Sequence, residues 1–276
     1  MIVTSCAGSK MRTVNAILRL IFFFLLLCIG LMIAGGMRLL CGENWHGRHY
    51  GARIKLGWMR GAAKILGLQI KIHGFPPKNN ALWVANHISW LDAVAISAIH
   101  PISFIAKADV RNWPIVGLLA QLSGTLFLNR SKRRDVASCL SNARALLASE
   151  VGVAFFPEAT TTDGRTLHTF KPSLFAAAIP DHPVQAIAMR YHTARDGRHY
   201  APFIGDDKFI AHLWKVLKAP GGTHVDVSFC APIFGADRKI LANRTETQIR
   251  ALLSIQSSFR IEFATAPNAA HAASEF

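Results

Sequence analysis

An α/β fold is the class the sequence predicts: a mostly parallel central sheet flanked by helices, preceded by an N-terminal membrane-docking helical segment. Three observations carry that prediction. Strand-like apolar runs and helical stretches alternate from residue 68 onward, the order that builds a sheet covered by helices. An uncharged run from Leu20 to Met37 precedes them. The composition, 51% hydrophobic over 276 residues, suffices for one sizeable domain plus an appendage and is not that of a disordered chain.

The uncharged run follows Lys10, Arg12 and Arg19 and is closed by Arg38. As a helix it would be roughly 27 Å long, close to the thickness of a hydrocarbon core. Three readings fit: a membrane anchor (spanning or monotopic), a cleaved signal peptide, and a buried core helix. The anchor is favoured, because Arg38 and the unpaired cysteines suit a signal peptide poorly. Positive charge continues with Arg48, Arg53, Lys55, Arg60 and Lys64, so charge asymmetry does not set an orientation. Met11 is a second candidate start. Residues 53–68 interleave those cations with Ile54, Leu56, Trp58, Met59, Ile65 and Leu66. A helix there is amphipathic, fitting either a membrane surface or an ordinary surface packed on the core.

Strands are expected at 68–72, 81–85, 103–106, 125–128, 153–156, 184–191 and 225–229. Helices are expected at 89–99, 114–122, 133–149, 173–179, 210–217 and 245–263. Ligands of such sheets bind at the carboxyl ends of the strands, and three chemistry-bearing stretches fall at strand ends.

In the first, Asn86-His87-Ile88-Ser89-Trp90-Leu91-Asp92, the strand 81–85 ends and Ser89 is a candidate helix N-cap. Five residues turn through roughly 500° on a helix, so His87 and Asp92 meet only if His87 precedes the helix. Asp92 would then hold one ring nitrogen and leave the other free to take a proton. A helix-capping polar cluster is the structural alternative. The second is Gly124-Thr125-Leu126-Phe127-Leu128-Asn129-Arg130, which ends on a guanidinium able to grip a phosphate in bidentate fashion. A solvated basic loop is its alternative. The third is Phe156-Pro157-Glu158-Ala159-Thr160, followed by Thr161-Thr162-Asp163-Gly164, with Lys171 a few residues on. Pro157 ends the ladder, Arg130 is the expected partner of Glu158, and the following residues are turn chemistry; a purely structural loop also fits.

The net charge of +15 calls for an acidic partner: nucleic acid, anionic lipid or an acidic carrier protein. No nucleic-acid module accompanies the basic residues, so nucleic acid is not expected. Cys6, Cys28, Cys41, Cys139 and Cys230 are odd in number and form no CxxC pair. That argues against a disulfide framework or a zinc site, and for a reducing compartment.

Taken together and in this order, the three stretches resemble the first three motifs of the glycerolipid acyltransferase family, in its bacterial 1-acylglycerol-3-phosphate acyltransferase form. The run Pro183 to Ala188 is similar to a fourth, and the resemblance covers roughly residues 82–191. It implies that His87 is a general base oriented by Asp92. It further implies that Arg130 binds the acceptor's phosphate, with Glu158 and Thr160 positioning acceptor or Arg130. Gly124, Phe127 and Lys171 are the remaining candidate substrate-binding residues. The partners implied are a lysophospholipid acceptor, membrane lipids, and acyl-carrier protein or acyl-coenzyme A as donor. No metal and no further cofactor are implied. The enzyme would work at the inner membrane, facing the cytoplasm. Ala159 departs from the family's usual Gly, which bears on φ there and on acceptor fit. Lyso-ornithine lipid is therefore a second acceptor to weigh. Outside the enzymes, a non-catalytic membrane-tethered lipid- or nucleic-acid-binding protein is the remaining alternative.

Expected boundaries are 1–67 for the anchoring segment, 68–263 for the acyltransferase domain and 264–276 for a disordered tail. His182, His192, His199 and His212 are read as structural or surface residues.

Overall fold

The uncharged run folds within one helix of 39 residues, α1 (Val3–Cys41), in a computed structural model that describes residues 3–42, 49–77 and 80–265. Ala16, Phe23, Leu27 and Ala34 form its buried stripe, while Ile21, Phe22, Leu25 and Met32 are exposed. Among the described residues, its Met11–Cys41 portion is the one helix long and apolar enough to cross a membrane. At Gly30 the helix meets α2 (His49–Leu66) so closely that an added Cβ would lie 2.7 Å from Trp58 Nε1. The same indole donates to Leu26 O at 3.0 Å.

The cations of α2 divide between solvent and protein. Arg53 and Lys64 are exposed. Arg60 Nε donates to Ala98 O at 3.1 Å, and Lys55 Nζ donates to Ile102 O at 2.6 Å and Ser123 O at 3.0 Å. Burial lowers the Lys55 pKa to about 8. Lys55 and Arg60 thus satisfy carbonyls of neighbouring segments, those of Ala98 and Ser123 at helix C-terminal ends that leave acceptors unpaired, while much of Arg60 stays exposed. Arg19 of α1 does the same for Ile65 O and Leu217 O, at 2.6 and 2.9 Å.

The remaining elements are β1 (Leu68–His73), β2 (Leu82–Ala85), α3 (Leu91–Ile99), β3 (Ser103–Lys107), α4 (Val116–Leu122), β4 (Leu126–Leu128), α5 (Arg133–Ala148), β5 (Val153–Phe155), β6 (Val184–Tyr191), α6 (Phe209–Leu217), β7 (Thr223–Phe229) and α7 (Arg238–Thr265). All seven expected strands form, in one sheet of order β1-β7-β6-β2-β5-β3-β4. Every pairing is parallel except β6 with β7. β2 is central and buried on both faces, which its uncharged Leu-Trp-Val-Ala sequence requires. Trp83 and Ala85 join the core beneath α1, α2 and α6, and Leu82 and Val84 join the core beneath α5 and α7.

Three expectations are corrected. Residues 173–179 give a 3-10 turn, Pro172–Ala177, in place of a longer helix. α7 begins at Arg238 rather than residue 245, because Asp237 Oδ1 accepts from Lys239 N at 2.7 Å and Ile240 N at 2.9 Å and so caps the helix. It also runs through Ala264 and Thr265, the first residues assigned to the tail, whose remainder lies outside the described residues.

Candidate active site

The end of β2 is held open for a polar residue by Asn86. Its Nδ2 donates to Met189 O at 3.0 Å, and its Oδ1 accepts from Met189 N at 2.7 Å, replacing one rung of the β2–β6 ladder. His87 therefore leaves the sheet just before α3, and Asp92 lies in that helix's first turn. His87 Nδ1 lies 2.8 Å from Asp92 Oδ2. The same oxygen accepts from Ile88 N at 2.7 Å and Ser89 N at 2.9 Å. The cap expected of Ser89 is not made: Trp90 holds the N-cap position, with no side-chain bond to the helix. The Ser89 hydroxyl is buried and makes no hydrogen bond among the described residues.

Asp92 is fully buried, whereas the His87 side chain is 21% exposed. The difference leaves Nε2 as the reachable end of the pair. The ring stacks on Phe156 with centroids 4.0 Å apart and planes 8° from parallel, which limits its rotation. On the far side of Asp92, the buried Tyr191 hydroxyl faces the carboxylate. Neither that hydroxyl nor Asp92 Oδ1 has another partner among the described residues. Burial first, and then the Asp92 charge, raise the Tyr191 pKa well above the ordinary value, so it stays a neutral donor.

Glu158 follows β5, the strand beside β2. Its Oε1 accepts from His87 N at 2.7 Å and its Oε2 from His168 N at 2.8 Å. Burial raises its pKa, and the His168 and His87 N–H groups hold it back. Thr162 N donates to His87 O at 2.9 Å, so both backbone groups of His87 are clamped by the loop after β5. Arg130 is not the partner of Glu158. It follows β4, two strands from β5 and roughly 10 Å away at ordinary strand spacing. Its exposed guanidinium makes no hydrogen bond or ion pair among the described residues, and partial desolvation lowers its pKa.

The other candidates sit around these groups. Gly124 terminates α4 with φ +83°, and Phe127 on β4 lies 6.0 Å below the Arg111 guanidinium. Thr160 and Lys171 are exposed, and Lys171 N donates to Pro157 O at 3.2 Å. Ala159 adopts φ +67°, the left-handed conformation glycine takes freely. The structure therefore unites His87, Asp92 and Glu158, and leaves Arg130, Gly124 and Phe127 on the sheet's edge. Sequence reasoning gave no role to Phe156, Thr162, His168 or Tyr191. Phe156 and Thr162 lie within the quoted third stretch and its tail, whereas nothing local marks the backbone N–H of His168 or the hydroxyl of Tyr191. His212 is structural: Trp90 Nε1 donates to its Nδ1 at 3.0 Å, its Nε2 bonds Pro202 O at 2.9 Å, and burial lowers its pKa.

An imidazole fixed at Nδ1 by a buried carboxylate is suited to taking a proton at Nε2 from a hydroxyl. Comparisons with known proteins place the chain in a family. The family model described as Acyltransferase matches residues 69–190. A lyso-ornithine lipid O-acyltransferase of Pseudomonas aeruginosa is 36% identical over 211 residues, covering 73% of this chain and 78% of the relative. A 1-acyl-sn-glycerol-3-phosphate acyltransferase of Neisseria gonorrhoeae is also 36% identical, covering 74% of this chain and 81% of the relative. The fold matches the crystal structure of the 1-acyl-sn-glycerophosphate acyltransferase PlsC from Thermotoga maritima. That match has a TM-score of 0.59 and 22% identity, and covers 87% of this chain and 97% of that one. With relatives this similar over nearly three quarters of its length, the chain belongs to the glycerolipid acyltransferase family and is an acyltransferase of the lysophospholipid type.

Proposed function

We propose that the protein moves a fatty acyl group from an acyl thioester to the free hydroxyl of 1-acylglycerol 3-phosphate, giving phosphatidic acid at the membrane. His87 Nε2 takes the hydroxyl proton as the oxygen attacks the thioester carbonyl. The C–O bond forms, the C–S bond breaks, and the departing thiolate takes the proton from the imidazolium. Asp92 orients the ring and offsets its transient charge, and Glu158 holds the His87 backbone. The exposed apolar face of α1 supports docking to the bilayer that carries the acceptor.

The single observation behind the choice of acceptor is Arg130, an exposed guanidinium without a bond among the described residues, free for a phosphate. A second reading, lyso-ornithine lipid as acceptor, is favoured by the similarity to the Pseudomonas aeruginosa enzyme. The test offers both lysolipids to the detergent-solubilised protein, with wild type and Arg130→Ala side by side. Turnover of 1-acylglycerol 3-phosphate with a KM raised about tenfold or more in the variant is expected. Turnover of lyso-ornithine lipid alone, unaffected by the variant, would reassign both acceptor and Arg130.

A further inference from the structure

A groove of about 570 Å³ lies at the carboxyl end of β6, the strand beside β2 on the side away from Arg130. Its walls carry three guanidinium groups, Arg165, Arg190 and Arg250, and one carboxylate, Asp163. The acyl-transfer mechanism uses none of them. Arg190 Nη2 donates to Leu253 O, which ties β6 to α7. Arg250 Nη2 donates to Leu167 O at 3.3 Å and pairs with Glu246 at 2.9 Å. Asp163 Oδ1 accepts the Arg165 backbone N–H at 2.9 Å, and the Arg165 side chain is exposed. With Arg250 offset by Glu246 and one charge by Asp163, the groove keeps an excess of positive charge suited to an anion.

The groove's position narrows the choice of anion. Two of its wall residues reach the catalytic pair: Ile88 follows His87, and Tyr191 faces Asp92. Arg190 alternates with Tyr191 on β6 and so shares the face of Ala186 and Ala188, against the core of α7. The buried stripe of α1 packs in the other core, on the opposite face of the sheet. A lysolipid reaches the enzyme through the bilayer on the α1 side, so the α7 side suits the water-borne substrate.

We propose that this groove binds the phosphate at the end of the acyl donor's pantetheine arm, a group common to acyl-carrier protein and acyl-coenzyme A. The proposal rests on the acyl-thioester reading above. An extended arm of pantetheine length is equivalent to about four residues and spans roughly 14 Å. Neighbouring strands are only ~4.8 Å apart. The arm can therefore run from the groove around the 163–167 loop to the exposed side of His87, with the phosphate left on the arginines.

The test compares acyl-4′-phosphopantetheine with acyl-pantetheine, which differ only in that phosphate, with acyl-coenzyme A and acyl-carrier protein as further donors. The lysolipid that supports turnover is held saturating. Wild type should prefer the phosphorylated arm by tenfold or more in kcat/KM. Arg165→Ala, at an exposed position with little consequence for folding, and Arg250→Ala should each cut that preference several-fold, with the lysolipid KM unmoved. A larger loss with carrier protein than with coenzyme A would name the carrier as the source. Equal losses would assign the effect to the shared phosphate. No preference in wild type, an undiminished preference in both variants, or a shift in lysolipid KM instead would overturn the proposal. Transfer from neither thioester in wild type would sink the acyl-thioester reading itself, and is seen before any variant is compared.

Discussion

The backbone N–H of His87 donates to Oε1 of Glu158 at 2.7 Å, so the carboxylate after β5 fixes the His87 peptide rather than pairing with a distant guanidinium. Its other oxygen accepts His168 N–H, and both oxygens are therefore needed as acceptors. Glu158→Gln sets an amide NH₂ against one of these donors. The expected cost is about 1–3 kcal/mol of stability, together with reduced turnover. Thermal unfolding in detergent, read beside acyl transfer, checks it. An unchanged midpoint would show that the two bonds contribute nothing net.

Asp92→Asn separates charge from geometry. The amide oxygen can keep the three donors at Oδ2, and the NH₂ can face the Tyr191 hydroxyl, which then accepts. Turnover should fall on the order of 10²–10⁴-fold while the unfolding midpoint stays close to wild type. His87→Ala should lose as much turnover and also the Phe156 stack. Wild-type turnover in a folded His87→Ala protein would remove His87 from the mechanism.

Ala159 holds φ +67° without the freedom of glycine. A left-handed alanine costs roughly 1–2 kcal/mol in the folded state, and glycine's greater unfolded-state entropy recovers part of that difference. Ala159→Gly is therefore expected to stabilise the protein by about 0.5–1 kcal/mol. Denaturant midpoints of the two proteins measure it directly, and a destabilised variant would contradict the strain.

Burial lowers the Lys55 pKa from 10.5 to about 8. Between these two values the unfolded chain binds a proton that the folded chain does not, so stability rises with pH across that window. As pH falls through about 8, Lys55 becomes charged in its buried setting and the contribution is lost. Unfolding midpoints between pH 7.5 and 10, wild type minus Lys55→Met, should show this rise. A flat difference would mean that Lys55 titrates normally.

Much of the fold was legible locally. Seven strands and the long N-terminal helix follow from runs of uncharged apolar residues, and the meeting of His87 with Asp92 follows from their offset across a strand-to-helix turn. The Ser89 cap does not form, because the helix starts one residue later, with Trp90 at its N-cap position, and Asp92 draws the Ile88 and Ser89 N–H groups that precede it. The bonds that Lys55 and Arg60 make to carbonyls of neighbouring segments carry no local signal either. Sequence reports that a cation lies on a helix, not which neighbouring helix ends leave carbonyls for it.

The sequence by itself determined the class of the sheet, the order of the three motifs and the meeting of His87 with Asp92, because each depends on residues within one turn or one strand of each other. Tertiary structure alone decided which motif residues meet. Strand order is set by non-local packing, and it placed β5 beside β2 but β4 two strands beyond β5. Glu158 therefore reached His87, and Arg130 did not reach Glu158. The same packing gathered Arg165, Arg190 and Arg250 from a loop, a strand end and the last helix into one groove, a grouping that no local pattern of charge or hydrophobicity encodes.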